Sequence, residues 1–468
     1  MSAAIAPVSI TPLPQWDDAL VKKYDVAGPR YTSYPTAPHF TAQFGSEDYA
    51  ALWRDRDSNA PLSLYVHIPF CENICYYCAC NKIVTRHKEK ARSYLNYLEK
   101  EVRLQAAIIG GGRPVTQLHW GGGTPTFLSG AEMTELMYHL ASHFTLLDSD
   151  DREYSIEVDP RTVDRDALAL LKGLGFNRLS FGIQDFDPAV QGAINRVQSI
   201  ESVQTLVDTA RALQFQSLSF DLIYGLPHQS TSSLRRTLAR VLELRPDRIA
   251  LYNYAHLPER FPTQRAIDRL ALPSVDDKLA MVHCASDVLG AAGYCYIGMD
   301  HFVLPHDQLA RAQQNGSLQR NFQGYSTSMA ADLVGLGVSA IGSTYTGYTQ
   351  NARDLDTYYA ALDADRLPLE RGALLRDDDL LRRHVIMQII CNLRLDIAET
   401  ERRFAIAWPV YFREELLILD ELAADGLITI DATELRVAGY GRFLLRNICM
   451  VFDTYLQSSA APCFSRAI

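Results

Sequence analysis

The chain has 468 residues, 47% of them hydrophobic and 21% charged, which is typical of a globular protein large enough for more than one domain. Its formal net charge of −10 argues against nucleic acid as a partner, because phosphate binding needs an excess of Lys and Arg. The nine cysteines are mostly isolated, which argues against a disulfide framework, and no apolar run is long enough to span a bilayer. We therefore expect a cytoplasmic protein without a membrane span.

Residues 1–50 are predicted to form an N-terminal extension. The segment Gly28–Pro35 in it reads GPRYTSYP, and its Gly, Pro and Ser residues are typical of a surface loop. An arginine and two tyrosines lie close together in this loop, and loops often carry functional residues. Arg30 and Tyr31 are therefore candidates for contacts on the substrate side of a site.

Residues 51–305 show strand and helix patterns in alternation, which predicts a parallel sheet. The predicted strands are 62–67, 117–121, 154–158, 179–183, 218–224 and 248–254, with another strand-like run at Tyr294–Met299. The predicted helices between them are 93–108, 132–143, 164–174, 199–213 and 233–244. About six βα units favour an α/β fold with a partial (β/α)6 TIM-like barrel, and an open, doubly wound sheet is the alternative.

Residues 306–468 lose this alternation and are predicted to form a separate, mostly helical C-terminal domain. Helical patterns fill 376–424, two short strands read ITI and LRV, and a final helix runs through FLLRNICMVFD. This order is similar to that of a winged helix. A DNA-binding role is disfavoured, because the domain has no basic recognition helix, and we expect the domain to cover the barrel mouth.

A cysteine-rich loop follows the first predicted strand. Tyr65–Lys82 reads YVHIPFCENICYYCACNK, in which Cys71, Cys75 and Cys78 have C-x3-C-x2-C spacing. The Ile-Pro-Phe sequence ends the strand, since proline cannot continue a ladder of hydrogen bonds. Three thiolates on one loop suit an iron–sulfur cluster or a zinc ion. A structural zinc site normally takes a second ligand pair further along the chain, and no such pair is present.

Polar and small residues recur where the later strands end, which is where parallel sheets bind ligands. The second strand ends in a glycine run, Gly121–Gly123, followed by Thr124, and glycines let the backbone approach a ligand closely. Each such residue alone has an ordinary structural explanation, such as a tight turn or an ion pair, but together they predict a site. The other candidates of this kind are Glu157, Gln184, Arg196, Asp221 and Ala255.

The cysteine loop resembles the signature of the radical S-adenosylmethionine (SAM) superfamily. The longer string, with Cys80 and Asn81-Lys82, is similar to that of its oxygen-independent coproporphyrinogen III oxidases, and this resemblance spans nearly the whole chain. It implies a partial-barrel fold and a [4Fe–4S] cluster held by Cys71, Cys75 and Cys78. The open iron would bind SAM, which is cleaved to methionine and a 5′-deoxyadenosyl radical. In the family Cys80 is not a ligand of the cluster, and Ala79 stands here where glycine is also familiar.

The resemblance also implies two bound SAM molecules, and the division of the contacts between them is its less secure part. Contacts to the cluster-bound SAM are implied for Tyr65, Gly122, Glu157 and Ile341. Contacts to the second SAM are implied for Tyr77, Gly123, Thr124, Gln184, Arg196, Asp221 and Ala255.

The implied reaction is oxidative decarboxylation of coproporphyrinogen III, in which two propionates become vinyl groups. Propionates need cationic partners, and Arg30 or the basic stretch Lys82–Arg92 supplies candidates, although such a stretch is often only a solvated face. The electron donor and acceptor are not identified by the sequence, and we expect a monomer. A haem-binding chaperone, a methyltransferase that uses SAM and a structural zinc protein are the alternatives.

Overall fold

A computed structural model describes residues 17–54, 60–327 and 332–456. Residues 1–16 of the predicted extension and Cys463 lie outside these ranges. The strands are β1 (Leu62–Ile68), β2 (Phe70–Cys71), β3 (Ile83–Val84), β4 (Pro114–Gly122), β5 (Thr145–Leu146), β6 (Glu153–Val158), β7 (Arg178–Gln184), β8 (Ser217–Tyr224), β9 (Arg248–Asn253), β10 (Cys295–Gly298), β11 (His301–Val303), β12 (Gln319–Asn321), β13 (Gly324–Ser326), β14 (Asp332–Leu336), β15 (Ile341–Ser343), β16 (Gly347–Asn351), β17 (Leu369–Leu374), β18 (Arg394–Asp396), β19 (Ile428–Ile430) and β20 (Glu434–Val437).

The helices follow the same chain order. They are α1 (Asp18–Tyr24), α2 (Ser46–Arg54), α3 (Glu89–Ile109), α4 (Gly130–His143), α5 (Arg165–Gly173), α6 (Pro188–Ala193), α7 (Ile200–Ala212), α8 (Thr231–Leu244), α9 (Val275–Ala291), α10 (Gln308–Asn315), α11 (Leu355–Asp363), α12 (Asp377–Asn392), α13 (Ile397–Phe404), α14 (Trp408–Tyr411), α15 (Arg413–Ala424) and α16 (Leu445–Met450). Within the described ranges, none of them is long and apolar enough to cross a bilayer.

The described residues fall into two compact units. The sheet unit comprises residues 40–54, 60–274 and 332–374, and the helical unit comprises residues 17–39, 275–327 and 375–456. These ranges differ from the predicted division at 50 and 305, because residues 275–305 group with the helical unit while β14 to β17 belong to the sheet unit. The predicted position of the C-terminal domain over the barrel mouth stays a prediction.

The sheet unit is built on parallel strands in the order β9-β8-β7-β6-β4-β1-β14. The strands are rich in branched and aromatic residues and are buried on both faces, as parallel strands between helices must be. Helices α3, α4, α5, α7 and α8 follow β3, β4, β6, β7 and β8 in turn. The predicted α/β fold, with its six strands and five helices, is thereby confirmed.

Four strands that the sequence pattern did not predict extend the sheet beyond β1. Strand β14 pairs in parallel with β1, and β15, β16 and β17 continue in antiparallel order. Their apolar residues are interrupted by glycines and polar residues, which hides the alternation. The pairing of Tyr65 with Gly335 brings these late strands beside the first strand, and Gly335 lies against the backbone of Ile341.

The helical unit has its own apolar core, to which α12 contributes Val385, Ile386 and Ile389. Strands β18, β20 and β19 form a three-stranded antiparallel sheet in that order. The predicted ITI and LRV strands are therefore present, as is the helical region. Leu395, which the periodicity placed in a helix, lies in β18 instead, because α12 ends at Asn392 and Leu393 is left-handed.

Candidate functional site

The cysteine loop lies at the carboxyl end of β1, as the sequence predicts. Pro69 ends the strand, and its carbonyl accepts from the backbone N–H of Ile83 at 2.7 Å, which starts the short β2–β3 pair. The loop is then tied to the rest of the sheet unit. Its carbonyls at Ile74 and Cys78 accept hydrogen bonds from Asn195 at 2.7 Å and from Thr263 at 3.2 Å. These bonds hold the loop by its backbone and leave the thiols available.

Each of the three cysteine sulfurs accepts a hydrogen bond from this chain. Thr124 Oγ1 donates to Cys71 Sγ at 3.4 Å, and the backbone N–H of Cys80 donates to Cys78 Sγ at 3.4 Å. Arg161 and Arg196 donate to Cys75 Sγ. Cys71 and Cys75 are buried, Cys78 is half-buried and Cys80 is exposed. Hydrogen-bonded, free thiols of this kind are suited to be thiolate ligands.

The donor set fits a cubane cluster better than a single ion. In the described ranges no three His, Cys, Asp or Glu side chains converge closely enough to hold one metal ion. A cubane takes each cysteine on a separate iron and so spreads its ligands further apart. The three thiols are near enough to interact electrostatically with one another.

Arg161 and Arg196 flank Cys75 and share one carboxylate. Their guanidinium nitrogens lie 3.5 Å and 3.4 Å from Cys75 Sγ. Both also bind Asp159 Oδ2, at 2.7 Å and 3.2 Å. Burial opposes ionisation of Asp159, yet the hydrogen bonds from Arg161 and the charge of Arg196 hold its pKa below the ordinary value. Asp159 therefore fixes two cations against one sulfur.

The glycine run at the end of β4 packs against the chain itself. Gly123 donates its N–H to the carbonyl of Ile68 at 2.8 Å, and a Cβ on Gly123 would lie 2.6 Å from the carbonyl oxygen of Pro69. Gly122 has a φ of +115°, and a Cβ there would lie 2.7 Å from the His67 ring. Glycine is therefore needed for this close approach of two backbones, in addition to any contact with a ligand.

Glu157 joins the glycine run to the aromatic residues of β1. Its Oε2 accepts from the Gly122 N–H at 3.2 Å, and its Oε1 lies 3.3 Å from His119 Nε2. The His119 ring stacks on Tyr65 with centroids 5.9 Å apart. Three residues implied by the resemblance, Tyr65, Gly122 and Glu157, are thus brought together.

His67 is a member of this group that the sequence reasoning did not single out. Its Nε2 lies 3.0 Å from the carbonyl of Asn81, so Nε2 carries the proton, because a carbonyl can only accept. Its Nδ1 then accepts from Tyr65 OH at 3.0 Å. Burial lowers the pKa of His67, which favours this neutral form. The ring links β1 to the end of the cysteine loop.

Gln184 ends β7, Arg196 lies between α6 and α7, and Asp221 lies within β8. Gln184 is buried with a φ of 67°, and a Cβ on Gly182 would lie within 2.9 Å of both the Gln184 amide and the Arg196 guanidinium. Asp221 accepts from Ser180 Oγ at 3.0 Å. Charge interactions connect Asp221 to Glu157 and to Arg196, and Arg196 to Tyr77. The two predicted groups of SAM contacts therefore adjoin each other.

Gln264, in a 3-10 helix (Pro262–Ala266), was missed by the sequence reasoning. Its Nε2 lies 3.1 Å from the carbonyl of Tyr77 and 3.2 Å from that of Ala255. It therefore joins the cysteine loop to the end of β9. No periodic pattern marks this turn. The arginine at 161 was also missed, although its place directly after the Asp159-Pro160 strand end is a usable signal.

Asp221 provides a pH-dependent property that can be measured. Burial, followed by the nearby charge of Glu157, raises its pKa from 3.8 to about 7. A carboxyl with a raised pKa binds its proton more tightly in the folded protein, so the free energy of unfolding should fall as the pH rises from about 4 to about 7. We expect Asp221→Asn to flatten this decline in denaturant titrations of the SAM-free protein, whereas an unchanged pH profile would contradict the assignment.

Arg30 and Tyr31, in the GPRYTSYP segment of the N-terminal extension, belong to the helical unit. Arg30 Nη1 lies 3.0 Å from Asp300 Oδ2, and this ion pair is partly buried. Tyr31 is buried and its hydroxyl donates to Asp453 Oδ2 at 2.9 Å. The GPRYTSYP segment is thus part of a packed core and not a free surface loop. Its role toward a substrate stays a prediction.

The basic stretch Lys82–Arg92 is largely engaged inside the sheet unit. Lys88 pairs with Glu72 and also donates to the carbonyl of Phe127 at 2.8 Å. Arg92 pairs with Glu135. These contacts favour a structural role for most of the stretch over binding of propionates.

Comparisons with known proteins show which family this chain resembles. The family model described as the radical SAM superfamily matches residues 65–241, and the model described as the HemN C-terminal domain matches residues 375–444. The oxygen-independent coproporphyrinogen III oxidase of Pseudomonas aeruginosa is 50% identical over 97% of this chain and 99% of its own length. Its counterpart in Escherichia coli is 49% identical over 97% of this chain and 98% of its own length.

A solved structure is similar to this chain over almost its whole length. Coproporphyrinogen III oxidase from Escherichia coli, a radical SAM enzyme, matches with a TM-score of 0.90 and 48% identity, covering 94% of this chain and 99% of that one. The fold, the cysteine loop and the helical region therefore match together over almost the whole length. On this identity and coverage, the chain belongs to the oxygen-independent coproporphyrinogen III oxidases of the radical SAM superfamily.

Proposed function

We propose that this chain converts coproporphyrinogen III to protoporphyrinogen IX without oxygen, by oxidative decarboxylation of two propionate side chains to vinyl groups. The observation that carries the proposal is the loop of three hydrogen-bonded cysteines beside the glycine run, in a chain half identical to oxidases of this name. The reaction is a step of haem biosynthesis.

The cofactors are a [4Fe–4S] cluster, with Cys71, Cys75 and Cys78 as its ligands, and SAM. When bound, they would supply a 5′-deoxyadenosyl radical for hydrogen abstraction from a propionate β-carbon, and the electron released with carbon dioxide would pass to an electron acceptor still to be identified. The chain positions and shields this chemistry. Thr124, Arg161, Arg196 and the Cys80 N–H hold the sulfurs, while burial of Cys71 and Cys75 keeps water away from them.

The SAM contacts implied by the resemblance are part of the proposal. Tyr65, Gly122, Glu157 and Ile341 would contact the first SAM, and the other predicted residues would contact a second one. Glu157 supports this assignment, because its 43% exposed side chain is held by Gly122 and His119 and still offers carboxylate to a ligand. Asp221, once it is ionised, and Arg196 would offer opposite charges to the amino and carboxylate groups of a methionine end.

The setting of the enzyme is proposed in the same way. Every described cysteine is a free thiol, which is typical of a reducing compartment, and supports a cytoplasmic location. The enzyme would act as a monomer with coproporphyrinogen III as its substrate and with electron carriers still to be identified. Measurement of the molar mass in solution tests the oligomeric state.

Anaerobic turnover tests the function directly. Reconstituted protein is incubated with coproporphyrinogen III, SAM and a low-potential reductant, and the products are separated. We expect protoporphyrinogen IX, carbon dioxide, methionine and 5′-deoxyadenosine. Tight haem binding without vinyl formation would indicate a haem chaperone instead, and a methylated product would indicate a methyltransferase.

Arg161 is expected to raise the midpoint potential of the cluster. Arg161→Gln removes a cation from Cys75 Sγ, and we expect the midpoint potential to become more negative by roughly tens of millivolts, since positive charge near sulfur stabilises the reduced cluster. The potential is measured by redox titration followed by electron paramagnetic resonance. Arg165→Gln, at an exposed position of α5, is the matched control. Equal potentials in the two variants, at full iron content, would exclude this role.

A further inference from the structure

A guanidinium group in the helical unit has no assigned task. Arg320 lies on β12 directly opposite Tyr325 on β13, and its guanidinium carbon is 4.8 Å from the centre of the Tyr325 ring. Its Nε and Nη1 are buried and have no hydrogen-bond acceptor anywhere in the described ranges. Arginine stays charged in proteins, and a buried charge without a partner is costly. The arrangement is therefore suited to an anion that is not part of the chain.

The neighbouring β10–β11 hairpin is strained. Its two central residues, Met299 and Asp300, have φ of 45° and 74°, where Gly and Asn are usual. Backbone strain of this kind persists where the surroundings enforce it, often at binding sites. Here the strained turn holds Asp300 in contact with Arg30, with Asp300 Oδ2 lying 3.0 Å from Arg30 Nη1. It also fixes His301, whose ring meets the Tyr325 ring edge-on with centroids 5.3 Å apart.

The two arginines belong to one electrostatic environment. Burial first, and then the charge of Arg320 and with a smaller effect that of Arg30, lowers the pKa of His301 to about 4. His301 is thus neutral at physiological pH. Arg320, Arg30 and Asp300 together carry one net positive charge, in a protein whose formal net charge is −10. A local positive site in an acidic protein favours a small carboxylate ligand.

We propose that Arg320 binds a propionate carboxylate of the substrate, a tetracarboxylate macrocycle. Arg30 is connected to it through Asp300, His301 and Tyr325. This inference rests on the proposed function and adds the carboxylate site to it. The planar guanidinium of Arg320 offers adjacent N–H donors that match the two oxygens of a carboxylate. The Tyr325 ring lies against this guanidinium, and the His301 ring meets the Tyr325 ring edge-on. Arg30 is held by Asp300 and contributes the second positive charge.

The test measures binding and not only turnover. The probe is coproporphyrin III, the stable oxidised tetracarboxylate, titrated into the holoenzyme and followed by fluorescence. Arg320→Met is expected to raise the Kd about tenfold to a hundredfold, which is the usual effect of removing a charged hydrogen bond. Arg320→Lys keeps the positive charge but loses the pair of adjacent N–H donors. Its Kd should therefore lie between the Kd values of the wild type and of Arg320→Met. Arg30→Met should also weaken binding, by a smaller factor.

Three controls show whether weaker binding in Arg320→Met reflects the loss of a carboxylate contact. Coproporphyrin III tetramethyl ester has no carboxylates, so its Kd should be equal in the wild type and in Arg320→Met. Arg403→Met removes another arginine of the helical unit that lies over an aromatic ring, Phe404 at 5.5 Å, and should leave all Kd values unchanged. Iron content and the Kd for SAM, which also carries a carboxylate, should be unchanged in every variant.

The outcomes separate this inference from the proposed function. An unchanged Kd for the free acid in Arg320→Met would overturn the carboxylate site. An equal loss of free-acid and ester binding, together with a lowered Tm, would overturn it too, because Arg320 would then be a packing residue. If Arg320→Met does not fold, the same comparisons apply to Arg320→Lys. Failure of the proposed function is a different result, namely wild-type protein that makes no protoporphyrinogen IX.

Discussion

Replacing Cys71, Cys75 or Cys78 by Ser is expected to remove bound iron and to abolish SAM cleavage. Each sulfur is predicted to hold a separate iron, and a serine hydroxyl is a poor substitute for a thiolate. The structure adds that each sulfur already accepts a hydrogen bond from a fixed donor, so neighbouring groups cannot easily shift to supply another ligand. Iron analysis and the yield of 5′-deoxyadenosine after anaerobic reduction measure the two effects.

Cys80→Ser is the matched control for these variants, because Cys80 lies in the same loop. The backbone N–H of Cys80 binds Cys78 Sγ, and a serine keeps that N–H. We expect full iron content and normal SAM cleavage in this variant. Loss of iron on replacing Cys80 would make it a ligand, and full iron content in one of the other three variants would remove that cysteine from the ligand set.

Gly122→Val is expected to weaken SAM binding about tenfold or more while the cluster is retained. A positive φ costs a residue with a Cβ roughly 1–3 kcal/mol, and valine would also press on the His67 ring. The Gly122 N–H would lose its position against Glu157 Oε2, so the proposed contacts of the first SAM would be displaced together. Equilibrium binding of SAM to the reconstituted protein measures the effect.

The control for this variant is a glycine with space around it. A Cβ on Gly111 would meet no atom within 4 Å, so Gly111→Val should keep the wild-type affinity for SAM. If Gly122→Val binds SAM normally, the glycine run serves only the packing of β4 against β1. If it loses iron as well, the run also holds the cysteine loop in place, in keeping with the bond between Gly123 and Ile68.

Local sequence signals were sufficient for the first part of the fold and for the cysteines. Apolar runs of strand length, separated by amphipathic helices, fixed the βα order from β1 to β9, because each element is recognised from its own residues. The loop with Cys71, Cys75 and Cys78 was equally clear, since all three cysteines follow closely after one proline. The family followed from the same short string.

The return of the chain to the sheet was decided by tertiary structure. Strand β14 pairs with β1, although the two are separated by more than half of the chain, and no local pattern encodes such a pairing. Its buried run Asp332–Leu336 includes a charged residue, whose carboxylate binds Arg113 at 2.6 Å. A partner that is distant in the chain helps to make the aspartate compatible with the interior, so the strand could not be recognised by its own composition.

The same division holds within the site. Residue types at the strand ends were visible in the sequence, but which of them meet depends on how neighbouring strands align. The contact of Arg161 with Cys75 and the bridge from Gln264 to Tyr77 join residues far apart in the chain. The sequence by itself therefore determined the fold class, the cysteine loop and the family. The tertiary structure decided which charges lie against the sulfurs, because hydrogen bonds between distant segments form only after the strands have been brought together.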